Sequence, residues 1–474
     1  MDMSKPCFFV GIGGSGMMPL AMILAARGAT VAGSDRSLDQ ARLPAKFDYL
    51  RDLGVTLFPQ DGSGITSPDQ IVIASAAIEP TVPDMIAAER LDCPRRTRAE
   101  MLADLFNAST MPIGVAGTSG KSTVTGMIGW ILHALRRDPT VMNGAVMKNF
   151  VTPDAPFASA IVGGPEMFVS EVDESDGSIA LYRPEVAVLT NVSLDHKELD
   201  ELRGLFAGFL NASRKAVLNM DDAETRELAS AVPSDKTIGY GFDSSDAEFR
   251  GDDVELLRDG VRFTVANGDE SHEVRLKLPG SHNASNALAA IAAVRQLDVS
   301  VADAAAALGR FEGLRRRLEL VGEANGVTVI DDFAHNPDKI DASLSTLRAH
   351  PGRLLVMFQP HGYGPIAKMG EQLAESFAEG LASDDRLYLP DPVYQGGTVD
   401  RTRGSEWLAG KIGEKGGSAE HIADRAAIGE RLTQEARPGD RIVIMGARDD
   451  TLAEFARELV ERLKSPPERG GGPA

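Results

Sequence analysis

The sequence predicts an α/β chain of three domains built on mostly parallel sheets. Three observations carry this. Residues 7–27 and 113–130 each read as a buried strand, a glycine-rich turn and an apolar helix, the unit from which wound parallel sheets are made. A further series of short apolar strands, each ending in a polar loop, follows residue 321. The chain has 474 residues, which at ~150 per domain is room for about three.

Composition bounds the function. The 43% hydrophobic and 25% charged fractions are those of a globular chain that can bury a core in each domain. Lys and Arg number 49 against 69 Asp and Glu, a net charge of −20. That balance argues against non-specific binding to nucleic acid or to an anionic membrane. Any anionic ligand has to be held by local basic groups and backbone N–H groups. The two cysteines, Cys7 and Cys93, form no metal pattern and no disulfide framework, which fits a reducing cytoplasm. The first residues run straight into a strand, and no apolar run approaches ~18 residues, so neither a signal peptide nor a membrane span is expected.

The first domain is expected over 1–108. Residues 7–16, CFFVGIGGSG, place Gly11, Gly13 and Gly16 between a strand and the helix 17–27, with Ser15 inside the turn. A second strand, 30–32, leads to Asp35, 24 positions after Gly11. This is the placement of a Rossmann-type fingerprint, in which backbone N–H groups and a helix dipole face a pyrophosphate. The alternative is a glycine turn with no ligand. Strands at 56–58 and 70–74 follow, and Ser75 stands at the carboxyl end of the latter, where open sheets bind ligands. A helix near 98–106 leads to the polar linker 107–110.

The second domain, 109–320, opens on the strand 113–116 and then Gly117-Thr118-Ser119-Gly120-Lys121-Ser122-Thr123. The core GxxGK[ST] of a P-loop is present, although Val115 stands where the full pattern has glycine. The turn is read as an ATP site. Lys121 supplies a point charge for the phosphates, and Ser122 or Thr123 a hydroxyl for Mg²⁺. Strand 166–171 runs into Asp173, Glu174 and Asp176, and strand 186–189 into Asp195 and His196. A carboxylate and an imidazole beside a P-loop suit Mg²⁺; the bland alternatives are a solvated acidic loop and a structural histidine. Residues 237–278 alternate short β-like runs with turns and read as a small antiparallel insertion. His282, Asn283 and Asn286 then open an alanine-rich helix, either as caps or as ligand groups.

The third domain is expected over 321–464, again as a Rossmann-like sheet. Before it stand Arg315, Arg316 and Arg317, read either as a solvated basic turn or as a source of one arginine for the phosphate site. Strand 327–330 ends in Asp331 and reaches His335. Strand 354–358 ends in His361, Gly362 and Tyr363, and strand 441–445 leads to Arg448. Residues 465–474 carry too little apolar content to fold.

With these residues in place, the chain from about 7 to 463 resembles the Mur ligases, three-domain enzymes that add amino acids or peptides during peptidoglycan synthesis. The matching segments are GIGGSGM at 11–17, GSD at 33–35, SAAI at 75–78, RTRAEML at 96–102, the glycine–lysine turn at 117–121 and the acidic run at 171–176. They continue with TN at 190–191, DH at 195–196, the PG-HN–NALAA run at 279–290, F-G–RR at 311–316, DDFAHNP at 331–337, FQPH at 358–361 and GA at 446–447. The alanine-adding branch and its murein-tripeptide relative match best.

The resemblance implies an ATP-dependent carboxylate–amine ligase working through an acyl phosphate. It implies that Gly11, Gly13, Ser15, Gly16, Asp35 and Ser75 hold a UDP-sugar rather than NAD. Mg²⁺ falls to Ser122, Glu171 and His196, with Glu171 preferred to Glu174. Asn283 and Asn286 approach adenine, and Arg316, Asp331 and His335 the nucleotide. His361, Gly362, Tyr363 and Arg448 face the amine, an amino acid or a peptide. Departures from the family pattern are Ser119 and Asn336 in place of histidines, and Gly362 where the alanine-adding branch has arginine. Asn211 stands where other branches carry a modified lysine, as in the alanine branch. Three rival readings follow: a ligase of the same family with another amine or acyl donor, an NAD-dependent oxidoreductase built on Gly11–Gly16, and a non-catalytic nucleotide-binding regulator, against which Lys121, Glu171 and His196 argue.

Overall fold

The computed structural model describes residues 5–75, 78–193, 198–393, 400–447 and 449–464. Contacts divide the chain into two compact units that meet at Leu314 and Arg315. The first unit holds two sheets and the second holds one.

The first sheet contains β1 (Cys7–Val10), β2 (Val31–Ser34), β3 (Thr56–Phe58), β4 (Ile71–Ala74) and β5 (Arg95–Thr97), in the order β3-β2-β1-β4-β5, all parallel. The direction of winding switches beside β1, so the Gly11–Gly16 loop lies where doubly wound sheets bind ligands. The helix Met17–Ala26 buries every residue from Met17 to Leu24, as a helix apolar on all sides must. A reason lies in the neighbouring sheet: Arg27 stacks over the Phe168 ring at 5.7 Å, and Tyr49 meets Phe157 at 5.8 Å. One continuous hydrophobic core runs from Phe9 and Leu20 to Phe168 and Phe209.

The central sheet contains β6 (Met111–Ala116), β7 (Thr140–Met142), β8 (Ala160–Ile161), β9 (Met167–Glu171), β10 (Val186–Leu189), β11 (Lys215–Asn219), β12 (Thr237–Gly241), β13 (Phe249–Leu257), β14 (Gly260–Asn267) and β15 (Glu270–Leu276). Its order is β15-β14-β13-β12-β11-β10-β6-β9-β7-β8. β6 therefore lies between β10 and β9 and parallel to both. The antiparallel strands expected as an insertion are present, and they extend this sheet through β12 and β13. The helix Ser281–Arg295 buries Ala284 and an unbroken run from Asn286 to Val294, and its small side chains let it sit deep in the core.

The second unit contains β16 (Glu319–Ala324), β17 (Val327–Asp332), β18 (Leu354–Gln359), β19 (Arg386–Leu389), β20 (Glu420–His421) and β21 (Arg441–Gly446), in the order β16-β17-β21-β18-β19-β20. Only the edge strand β16 is antiparallel to its neighbour. Among the described residues no helix is long and apolar enough to cross a membrane.

Candidate functional site

The central turn is built from the ends of three strands. Gly120 sits at φ 87° and starts the helix Lys121–Ala134 with no side chain capping it, which leaves the positive helix end to the turn. The turn is stapled to the loop after β10. Thr118 N–H donates to Asn191 O at 3.1 Å, Ser119 N–H to Asn191 Oδ1 at 2.9 Å, and Thr190 Oγ to Ser119 O at 2.6 Å. A Cβ at Gly117 would stand 2.1 Å from Thr190 Oγ, and one at Gly120 would stand 2.6 Å from Asn286 Oδ1. Both glycines are thus required by close approach as well as by positive φ. Asn286 reaches the turn in this way, while Asn283 Nδ2 donates to Pro279 O at 2.7 Å. Neither asparagine caps its helix, whose N-cap is Gly280; Thr123 is buried in the first turn of the helix Lys121–Ala134.

Two carboxylates, one at the end of β9 and one in the loop that follows, clasp the turn. Lys121 Nζ donates to Glu174 at 3.0 and 3.2 Å and to Gly117 O at 2.6 Å. Ser122 Oγ donates to Glu171 Oε2 at 2.7 Å. Glu174 is only 4% exposed, so it is not part of a solvated acidic loop. The hydroxyl and carboxylate of Ser122 and Glu171 are hard oxygen donors, few in number, beside a phosphate-type turn. That donor set fits Mg²⁺, which binds through one or two carboxylates and keeps waters or phosphate oxygens. His196, expected as a third ligand, lies outside the described residues, as do Asp195 and Arg448. Burial raises the Asp173 carboxyl, but the Ser175 N–H at 3.0 Å and the nearby Lys121 and Arg98 charges outweigh it and hold it below the usual range.

In the first sheet the glycine loop is organised by Asp35. Its Oδ2 accepts from Gly13 N–H at 2.8 Å and its Oδ1 from Ser37 N–H at 2.7 Å. Lys46, buried, donates to Gly13 O at 3.1 Å. With both oxygens committed to backbone, Asp35 shapes the loop, which is a different task from binding the ribose of a dinucleotide. Gly11 has φ 78°, and a Cβ on Gly13 would stand 3.0 Å from Asp35 and 3.1 Å from Phe47. Ser15 is exposed, and Ser75 follows β4 at the same carboxyl end of the sheet.

The second unit brings Arg316, Asp331, His335 and His361 together. Arg316 is 8% exposed, which overturns the reading of the three arginines as a solvated turn. Its guanidinium donates to Gly446 O at 2.7 Å and Asp449 O at 3.0 Å, and Nε lies 3.3 Å from Asp331 Oδ2. That last contact is poorly aligned, and among the described residues Asp331 Oδ2 has no hydrogen bond. Burial pushes the Asp331 carboxyl up to about 6 against the pull of Arg316. The His335 ring packs edge-on against Phe333 at 5.4 Å and His361 at 5.3 Å, and Arg317 stacks over Phe333 at 4.4 Å. Its Nδ1–H donates to Phe333 O at 2.8 Å. Gly362 takes φ 152°, ψ 168° at the start of the helix Tyr363–Gly380, a region that only glycine occupies readily. Its identity is therefore set by the backbone, and an arginine there would be strained.

His335 gives a pH prediction. Burial, with Lys339 adding to it, pushes the imidazole down to about 3. The unfolded chain, at a pKa of ~6.5, binds the proton first, so stability is lost as pH falls below that value. His335→Asn should lessen the fall in melting stability between pH 7 and 5 by up to about 2 kcal/mol. Thermal unfolding at both pH values measures it, and an undiminished fall would show that the ring is not buried neutral.

The three sheets, with a phosphate-type turn clasped by the loops of both flanking strands, define an α/β protein of the P-loop kind. Family comparisons agree along the whole chain. The Mur ligase family catalytic domain matches residues 7–110, the Mur ligase middle domain 115–294, and the Mur ligase glutamate ligase domain 316–448. The UDP-N-acetylmuramate–L-alanine ligase of Streptomyces coelicolor is 36% identical over 95% of this chain and 96% of that protein. The ligase of the same name from Cyanothece is 32% identical over 98% and 96%. Among solved structures, the UDP-N-acetylmuramate-alanine ligase MurC of Thermotoga maritima superimposes with a TM-score of 0.78 at 26% identity, covering 97% of this chain and 99% of that one. A murein peptide ligase of Psychrobacter arcticus gives 0.73 at 25%, covering 98% and 99%. The chain belongs to the Mur ligase family.

The sequence offers Glu174 only as a second choice to Glu171 and gives no sign of Asn143 or Lys46. Asn143 Nδ2 donates to Ser122 O at 2.8 Å. A signal was present for Glu174, which lies three residues after Glu171 in the same acidic run. Asn143 and Lys46 stand in stretches with no distinguishing pattern.

Proposed function

We propose that this chain is an ATP-dependent ligase that joins L-alanine to the carboxylate of UDP-N-acetylmuramate in peptidoglycan synthesis. The observation that carries this reading is the clasp at the head of β6, with Lys121 on Glu174 and Ser122 on Glu171. It occurs in a chain that matches ligases of that name over almost their whole length. The domains are proposed as 1–108 for the UDP-sugar, 109–320 for ATP and 321–464 for the amine, in the cytoplasm.

A carboxylate resists attack by an amine until it is activated. The donor carboxylate attacks the γ-phosphorus of ATP, the bond to the β,γ-bridging oxygen breaks and ADP leaves an acyl phosphate; the neutral amine then attacks the acyl carbon, phosphate leaves, and the nitrogen gives up a proton to form the amide. Residues 117–123 present N–H groups and the Lys121 charge to the transferring phosphoryl group. Mg²⁺, when bound at Ser122 and Glu171, supplies further neutralisation of that charge. Asn283 and Asn286 are assigned to the adenine side, Arg316 and Asp331 to the nucleotide from the second unit. The loop bearing Gly11, Gly13, Ser15, Gly16, Asp35 and Ser75 is assigned to the UDP-sugar, and His335, His361, Gly362, Tyr363 and Arg448 to the amine side.

The test is ADP release with ATP, Mg²⁺, UDP-N-acetylmuramate and a panel of amines. L-alanine should support the highest kcat/KM. The likeness to a murein peptide ligase favours a second reading, a murein-peptide-type ligase, and turnover with a tripeptide but not with L-alanine would establish it instead. Glu171→Ala should raise the Mg²⁺ concentration for half-maximal turnover by about tenfold or more. An unchanged Mg²⁺ titration would remove Glu171 from the site.

A further inference from the structure

The segment 138–144, DPTVMNG, has no role so far, yet its last two residues lie against both groups assigned to Mg²⁺. It contains β7, three residues long, which is pressed onto the helix Lys121–Ala134. A Cβ at Gly129 of that helix would stand 2.7 Å from Val141 Cγ2. One at Gly126 would stand 2.9 Å from Leu314 Cδ2 and 3.4 Å from Asn143 Nδ2. Glycine is a poor residue inside a helix. Here two of them clear the face on which β7 and Asn143 rest.

Asn143 is fully buried, so its amide has to be bonded. Nδ2 donates to Ser122 O at 2.8 Å, and Oδ1 accepts from Ala145 N–H at 3.0 Å. Its own N–H donates to Ser159 O at 2.9 Å. Held at three points, the side chain cannot turn away. Ser122 lies in the first turn of its helix, where its carbonyl has one lone pair for the helix ladder and one for Asn143. The backbone that carries Ser122 Oγ is thus fixed from β7. Gly144 acts on the other partner. A Cβ there would collide with Glu171 Oε1 and stand 3.2 Å from its carboxyl carbon. Gly144 is not among the glycines at positive φ, so its backbone would accept any residue. Only the carboxylate forbids a side chain. With that space left open, Glu171 Oε2 accepts from Ser122 Oγ at 2.7 Å.

We propose that Asn143 and Gly144 are positioning residues for the metal pair: Asn143 places Ser122, and Gly144 leaves Glu171 the room to meet it. Gly144 has no side chain and Asn143 has both ends of its amide committed, so their task is to place ligands rather than to be ligands. The inference rests on the assignment of Mg²⁺ to Ser122 and Glu171 in the reading above, and adds the element that aligns the two. Mg²⁺ tolerates little departure from its preferred geometry, so a displaced oxygen lowers its affinity directly.

The experiment measures binding of Mn²⁺, which shares the preference for oxygen donors, by electron paramagnetic resonance on the full chain with ADP present. Gly144→Ala should weaken Mn²⁺ by about tenfold or more, the usual effect of removing the outer support of a ligand. In a Glu171→Ala background the same substitution should cost less than about twofold, because the carboxylate it displaces is gone. Asn143→Ala should weaken Mn²⁺ by about tenfold as well, and by less than about twofold once Ser122 is alanine. In turnover, both variants should need more Mg²⁺ for half-maximal rate and recover kcat when Mg²⁺ is saturating. A merely structural role lowers the melting temperature and costs the same in every background. Equal costs with and without Glu171 therefore overturn the proposal, as does wild-type Mn²⁺ affinity in Gly144→Ala. Should Asn143→Ala fail to fold, the Gly144→Ala cycle decides alone. If Glu171→Ala binds Mn²⁺ like wild type, the metal assignment falls and this inference with it. A wild type that shows the expected Mn²⁺ cycles but releases no ADP with UDP-N-acetylmuramate and any amine overturns the ligase reading and leaves this inference standing.

Discussion

Lys121→Ala should lower phosphoryl transfer to the acyl donor by about 10²–10³-fold or more, the range found when one preorganised charge-stabilising donor is removed. Affinity for UDP ligands should change by no more than about threefold, because the two sites share no direct partner. Lys121 contributes the charge of the central turn, and its Nζ is aimed by Gly117 O and both Glu174 oxygens. Alanine removes the charge and also leaves Glu174 buried without its cation, a further penalty on the fold. Positional isotope exchange in ATP measures the chemical step, and titration with UDP-N-acetylmuramate measures the first sheet. Equal loss of both in a folded variant would contradict the separation of the sites. Glu174→Gln is the companion variant: it keeps the shape but removes the charge and one of the two oxygens that accept from Lys121, so it should retain most UDP-ligand binding while disturbing the Lys121 position.

Much of this was legible in the residue order, and the parts that were not share a physical cause. Strands β1, β6 and β17 announce themselves as apolar runs ending in glycine or acid, and β10 as one ending in Thr190-Asn191, so the three sheets and the loops that crown them could be drawn from sequence. β5 could not: Arg95-Arg96-Thr97 has no apolar residue, and it is a strand because it forms the charged edge of a sheet. β7 and β8, three and two residues long, are too short for any periodicity. The motif prefers Glu171 to Glu174, and the structure gives each carboxylate its own partner, one the hydroxyl and one the ammonium. Side-chain pairing across the turn depends on which strands are adjacent, and that order is not written in any local pattern. Gly362 is the opposite case. As a sequence difference it pointed to altered amine specificity; as backbone it is explained by φ 152°, which weakens the inference drawn from a missing arginine.

Asp331→Ala should destabilise the second unit by about 3–5 kcal/mol, the cost of stranding one partner of a buried ion pair. Asp331 is 0% exposed and Arg316 is 8% exposed, so neither charge can turn to solvent. Arg316 is held at φ 60°, a conformation that costs ~1 kcal/mol or more outside glycine. It persists because its N–H donates to Glu319 and its guanidinium reaches Gly446 O and Asp449 O in different directions. Arg316→Lys should therefore restore little, since an ammonium cannot span that fork. pH separates this structural role from any contact with nucleotide. A carboxyl whose folded pKa is raised to about 6 binds its proton more tightly in the fold than in the unfolded chain, where it is ~3.9. Its contribution is full below that lower value and declines as pH rises to about 6, opposite in sign to His335 in the same unit. Asp331→Asn should remove the decline, so that the variant gains stability more steeply than wild type between pH 4 and 6, by up to about 1.4 kcal/mol per pH unit. Denaturant unfolding across that window tests it. Parallel curves for wild type and Asp331→Asn, with ATP affinity reduced instead, would show that Asp331 serves the nucleotide rather than the fold.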